Sequence, residues 1–85
     1  MEYLFTFQNT HYAVQSEKLL LAKEIPVSVM ALPTSIGDFC GICLRVTKEE
    51  FESGRKSLVE AQIPIEGIFR IEGNHSERKY VPWTL

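Results

Sequence analysis

The centre of the chain reads Ser35-Ile36-Gly37-Asp38-Phe39-Cys40-Gly41-Ile42-Cys43-Leu44-Arg45-Val46 and holds both cysteines and two of the five glycines. Its first half follows Pro33 and is predicted to be a loop. Over residues 42–47, apolar and polar side chains alternate, which is the period-two pattern of a strand. A strand–helix–strand pattern precedes this stretch and a helix–strand pattern follows it. The chain therefore divides here into two comparable halves.

The half before this stretch is predicted to form a strand, a helix and a second strand. Residues 2–7 are nearly all β-formers with apolar side chains on both faces, which indicates a central strand. Asn9-Thr10 supplies an N-cap for a helix over residues 11–23. A strand is then expected over residues 27–32, and Pro33 stops it because proline cannot donate to the ladder.

The second half begins with the strand at residues 42–47. Thr47 and Glu50 have the spacing of a capping box, which predicts a helix from residue 48 to about residue 62. A fourth strand is expected over residues 67–71 and a turn at Gly73-Asn74. The last residues mix basic and aromatic side chains, and they either dock on the domain, form an edge strand or mediate association.

The element order β-α-β-β-α-β predicts an α+β fold of the ferredoxin-like type. Its four-stranded antiparallel sheet would carry both helices on one face and leave the other face open. We expect a single ferredoxin-like domain over residues 1–73. Residues 74–85 would then be a C-terminal tail that is docked or involved in association.

The composition is that of a small globular protein. The chain has 85 residues, of which 45% are hydrophobic, and its net charge is −2. This charge offers no basic footprint for nucleic acid, and no apolar run is long enough to span a bilayer. The N-terminus lacks the pattern of a secretory signal. Two cysteines in such a chain suggest reduced thiols in the cytoplasm.

The pair Cys40-Gly41-Ile42-Cys43 is the main candidate for chemistry. Two thiols at this spacing can form a reversible disulfide or bind a soft metal. However, a structural zinc site needs four ligands, and the two histidines, His11 and His75, lie far away in the sequence. In an extended strand, positions i and i+3 point to opposite faces, so the thiols meet only if Gly41 allows a turn. We therefore expect no resident metal or cofactor.

Cys40 as a single nucleophile is the sharper hypothesis. It ends a loop and precedes Gly41, where the missing side chain lets backbone N–H groups approach a sulfur anion. The alternative is that Cys40 is a small buried residue at the start of a strand. Cys43, midway in the strand, is expected to be a packing residue. Arg45 shares the face of Cys43 and would lower the pKa of a thiol, bind an anion or form a surface ion pair.

Several segments together resemble the Se/S carrier protein-like family, which comprises small bacterial domains. The resemblance covers residues 3–71 and keeps the order and spacing of the pieces. One departure is Glu24, which stands where the family's first helix usually ends in a glycine. The matching segments are Thr10-His11-Tyr12-Ala13, Glu17-Lys18-Leu19-Leu20, Ile25-Pro26-Val27, Leu32-Pro33 and Cys40-Gly41-Ile42-Cys43-Leu44-Arg45.

The resemblance implies a sulfur or selenium carrier more than a true enzyme. Cys40 would accept the atom as a persulfide-type adduct, Gly41 would supply a backbone donor, and Cys43 would be a possible resolving thiol. The implied partners are sulfur or selenium donor and acceptor proteins, with neither nucleic acid nor membrane involved, and a homodimer is possible. Two alternatives stay open from the residues: a non-catalytic interaction module that uses the open sheet face, and a dithiol redox site.

Overall fold

The structure is a computed structural model that describes residues 1–33, 35–36, 41–73 and 77–83. Its elements follow the predicted order and add one strand near the C-terminus. Most of their boundaries lie within one or two residues of the predicted ones. The elements are β1 (Glu2–Thr6), α1 (Thr10–Ala22), β2 (Ser28–Ala31), β3 (Ile42–Thr47), α2 (Lys48–Glu60), β4 (Gly67–Glu72) and β5 (Lys79–Pro82).

The five strands form one antiparallel sheet in the order β2-β3-β1-β4-β5. The α+β class, the two helices and the central position of β1 are confirmed. The predicted count of four strands is wrong, because Lys79–Pro82 pairs with β4 and extends the sheet beyond a strict ferredoxin-like arrangement. The division into a domain at residues 1–73 and a tail at residues 74–85 stays a prediction.

Both helices pack on one face of the sheet and form the main core with it. In β1, Tyr3 and Phe5 point to this face, and the Phe51 ring of α2 stacks on both. Trp83, just after β5, meets Phe51 edge-on, so the C-terminal strand also joins this core. Its buried members are Phe5, Phe7, Ala13, Leu20, Ile25, Leu44, Val46, Phe51, Leu58 and Ile63.

The two helices start differently. Asn9 caps α1, because its side chain accepts a hydrogen bond from the N–H of Tyr12 at 2.9 Å. Thr47 is the N-cap residue of α2, but its side chain makes no capping hydrogen bond. The predicted capping box of Thr47 and Glu50 is therefore wrong. The acidic residues Glu49 and Glu50 still lie in the first turn, where they suit the helix dipole.

Both helices end in the same way. At the end of α1, Ile25 N–H donates to Leu20 O and Glu24 N–H donates to Leu21 O, which is the Schellman arrangement. At the end of α2, Ile63 N–H donates to Leu58 O in the corresponding bond. The residue that turns the chain has a positive φ in each case, 60° at Glu24 and 61° at Gln62.

The opposite face of the sheet carries a second, smaller apolar cluster. Its buried members are Leu4, Leu32, Cys43 and Ile71, and the partly buried Met30, Ile36, Phe69 and Tyr80 pack against them. Among the described residues, no helix covers this face. The face is nevertheless not bare, because neighbouring side chains bury its centre.

Candidate functional site

The candidate site is the loop between β2 and β3, and both ends of this loop are fixed. Leu32 N–H donates to Gly41 O at 3.0 Å, so the β2–β3 pairing continues one residue beyond β2. Ile36 N–H donates to Pro33 O at 3.0 Å and makes a turn directly after β2. The Ile36 side chain packs against the cluster on the helix-free face. The loop therefore starts by folding over this face and rejoins the sheet at Gly41.

Gly41 marks the return of the loop to the sheet. Its φ is 84°, in the left-handed region that favours glycine. It is exposed, and a Cβ placed on it would meet no atom of the described residues within 4 Å. The preference for glycine here thus comes from the backbone conformation and not from crowding by the described residues.

Cys40, the main predicted site residue, lies outside the described residues. The predicted roles of Cys40 as sulfur acceptor and of Gly41 as backbone donor stay predictions. His75 also lies outside the described residues.

Cys43 lies in β3 and is 0% exposed. Its Sγ donates to Ala31 O at 3.9 Å, a long contact even for sulfur. Its side chain belongs to the cluster on the helix-free face, with Leu4 and Leu32 among its buried members. A resolving role for Cys43 stays a prediction, and it requires that this buried thiol become accessible.

Arg45 and His11 both lie among the described residues. Arg45 Nε lies 3.5 Å from Glu2 Oε2 on the neighbouring strand, which confirms the surface ion pair. His11 is exposed in the first turn of α1, with its ring 6.0 Å from that of Tyr12. Of the residues described, none form a group of three or more His, Cys, Asp or Glu side chains suited to a metal ion.

The comparison with protein families gives a clear result. The family model "Putative Se/S carrier protein-like" matches residues 2–70, which include both cysteines and the whole loop. The chain belongs to this family. No curated protein and no solved structure matches the chain. In the described part of this Se/S carrier-like chain, no helix is both long enough and apolar enough to cross a membrane.

Sequence reasoning missed two features of the site. Ile36 was assigned to a loop, although its packing anchors that loop to the helix-free face. The available signal was its apolar side chain between Ser35 and Gly37, which a purely exposed loop would not need. The bond from Leu32 to Gly41 was also missed, because Pro33 stops the strand pattern before the pairing ends.

Proposed function

We propose that this protein carries sulfur or selenium as an adduct on the Cys40 side chain. The family match over residues 2–70 carries the proposal, because it connects the chain to a carrier theme. Such a carrier would take the atom from a donor protein and pass it to an acceptor protein. We expect it to act in the cytoplasm, where thiols remain reduced.

The transfer of sulfur would be a thiol exchange without net redox change. The Cys40 thiolate attacks the terminal sulfur of a donor persulfide, and a new S–S bond forms on Cys40. The S–S bond within the donor breaks, and its electron pair stays on the donor thiolate, which takes up the proton that Cys40 released. Delivery runs the same step in reverse, with an acceptor thiolate attacking the terminal sulfur on Cys40.

The ends of the loop support this role for Cys40. The residue directly precedes Gly41, which is exposed and has no described atom within 4 Å of the position that a Cβ would take, other than those of its chain neighbours. An approaching donor needs space at this point. Backbone N–H groups near a glycine of positive φ are also able to stabilise an anion, and this is the contribution expected of Gly41.

Mass spectrometry after sulfur loading tests the proposal. The protein is incubated with a cysteine desulfurase and cysteine, and its intact mass is measured without reductant. We expect the wild type to gain one sulfur atom and to lose it on reduction. Cys40→Ser should gain no sulfur.

Cys43→Ala is the matched control, because it removes the other thiol and is expected to keep the adduct. Circular dichroism shows whether each variant is folded. If folded Cys40→Ser gains sulfur as well as the wild type does, Cys40 is not the carrier residue.

A dithiol redox site is the first alternative. It requires Cys43 to reach Cys40, whereas the Cys43 side chain is fully buried. Mild oxidation would then remove two hydrogen masses reversibly from the wild type and none from Cys43→Ala. If the mass of the wild type does not change, this alternative is wrong.

An interaction module is the second alternative, and the apolar character of the helix-free face favours it. Met30, Phe69 and Tyr80 are only partly buried there and border the fully buried Leu4. In that case, Cys40→Ser would have no functional consequence, while Phe69→Ser would abolish binding of a partner.

A further inference from the structure

The two edges of the sheet differ in how well they are protected against pairing with another strand. The β5 edge contains Pro82, which lacks a backbone donor, and the exposed Lys79. Trp83 N–H donates to Ile68 O, so by the alternation of the ladder Pro82 occupies a position that faces away from β4. Proline and lysine at such positions are the usual means of blocking an edge strand.

Between Ser28 and Ala31 the β2 edge contains neither proline nor lysine, and Pro33, which also lacks a donor, ends this edge directly after Leu32. Ser28 and Ala31 are exposed, and Val29 is 44% exposed. From residue 25 to residue 37 the sequence contains no charged side chain. In the part of the chain that the structure describes, no strand pairs with the outer side of β2. An edge without charged side chains presents its unpaired backbone groups to a second strand.

The backbone of β2 also presents donors to the outside. Leu32 N–H points to β3, because it donates to Gly41 O. Since the backbone groups of successive residues alternate in direction, the N–H groups of Val29 and Ala31 point away from β3. These groups need hydrogen-bond partners, which water or another strand can supply.

We propose that β2 pairs in an antiparallel manner with β2 of a second copy, which joins two sheets into one of ten strands. A second copy fits this edge because the strand has no charge that would meet its own like charge across a two-fold axis. The same axis would bring the apolar clusters of the two helix-free faces together. This proposal does not depend on sulfur transfer at Cys40.

The outward-facing residues limit the possible registers of this pairing, because Val29 of one copy must pair with an outward-facing residue of the other. The proposed register pairs Val29 with Ala31, which centres the contact on the strand and places the axis at Met30. The two Met30 side chains then meet on the helix-free face as a non-hydrogen-bonded pair, with Cα atoms about 4.5 Å apart. In this register, Pro33 lies beside Val27 of the second copy, so each copy borders the start of the other's Cys40 loop.

Position-specific disulfide formation tests this register. Met30→Cys is made in a background with Cys40→Ser and Cys43→Ala, so that no native thiol competes. We expect a covalent dimer after mild oxidation, because the Cα separation across the axis suits a disulfide. Ser28→Cys is the matched control: it lies on the same strand and face, but its two copies would be roughly 13 Å apart and should not cross-link.

The oligomeric state of the wild type is measured by sedimentation from micromolar to millimolar concentration. We expect a concentration-dependent dimer that Val29→Lys weakens by at least about tenfold, since edge lysines oppose pairing. Val59→Lys, at a valine on α2 that is 57% exposed, should leave the dimer unchanged.

Three results would overturn the proposal. The first is a wild type that stays monomeric over the whole concentration range. This includes a monomer whose β2 edge binds an extended segment of another protein but not a second copy. The second is a dimer that Val29→Lys does not weaken. The third is a cross-link at Tyr80→Cys in place of Met30→Cys, which would assign the dimer to the β5 edge.

Discussion

Replacing Glu24 by glycine should stabilise the protein. Glu24 turns the chain at the end of α1 with a φ of 60°. For a residue with a Cβ, the left-handed conformation costs about 1–2 kcal/mol. Glycine adopts this conformation without that cost. However, glycine also makes the unfolded chain more flexible, which offsets about 0.5–1 kcal/mol of the stabilisation. The expected net stabilisation is about 0.5–1 kcal/mol.

The charge of Glu24 adds to this effect. A carboxylate near the negative end of a helix dipole is unfavourable by about 0.3–1 kcal/mol, and the positive charge of the C-cap residue Lys23 offsets part of this cost. Gln62 has the same backbone conformation at the end of α2 but carries no charge. Glu24→Gly should therefore stabilise the protein more than Gln62→Gly, and added salt should reduce the difference.

Thermal unfolding followed by circular dichroism measures these effects. For a domain of this size, each 1 kcal/mol shifts Tm by roughly 4–8 °C. Glu60→Gly is the matched control, because Glu60 is the exposed last residue of α2. Glycine at a helical position costs up to about 1 kcal/mol. Loss of the Glu60 carboxylate near the helix end offsets about 0.3–1 kcal/mol of this cost, so Glu60→Gly should leave Tm unchanged or lower it. If Glu24→Gly also leaves Tm unchanged or lowers it, the argument from the positive φ is refuted.

Three further substitutions test the structure by the same melting assay. Gly54→Ala should stabilise α2 by up to about 1 kcal/mol, since the new Cβ would lie 3.6 Å from Phe5 Cε2, an ordinary contact; a loss would show that the helices pack more closely. Gly41→Ala should destabilise by about 1 kcal/mol although no described residue crowds the new Cβ, and an unchanged Tm would contradict its φ of 84°. Glu2→Gln should change stability by less than about 1 kcal/mol, because both partners of its ion pair with Arg45 are a third exposed; a larger loss would indicate a more buried pair.

The strands and helices with a strong pattern could be predicted from the sequence. β3 was predicted at residues 42–47 and has these bounds, because its alternation is uninterrupted. The helix start at Asn9 was also predictable, since its side chain has a dedicated role at the cap. Local chemistry is sufficient to predict both features.

Features that depend on distant contacts were not predictable. An edge strand is one of three alternatives that the sequence allows for the last residues, and the structure confirms it. The sequence could not select it because β5 is short and contains Pro82, and its pairing with β4 defines it. The residues that end the two helices with a positive φ, Glu24 and Gln62, are not glycine, so the sequence does not indicate this conformation. In the structure, the buried side chains of Ile25 and Ile63 fix the two turns in the same conformation.

For the candidate site, the sequence identified the residues but not their surroundings. Strand alternation assigned Cys43 to a packing position, and its side chain is fully buried. The alternation could not show that Ile36 would anchor the loop to the helix-free face. Ile36 lies outside the alternating strand, and the cluster that it packs against comes from several strands. Cys40 was singled out by its neighbour Gly41, whose positive φ is a local property of the chain.

The most direct test of the carrier role is the location of the added sulfur after loading by a cysteine desulfurase. Peptide mass mapping without reductant assigns the adduct to one cysteine. We predict one sulfur atom on Cys40 in the wild type and in Cys43→Ala, and none in folded Cys40→Ser. An adduct on Cys43, or equal loading of Cys40→Ser, would contradict the assignment of Cys40 as the carrier residue.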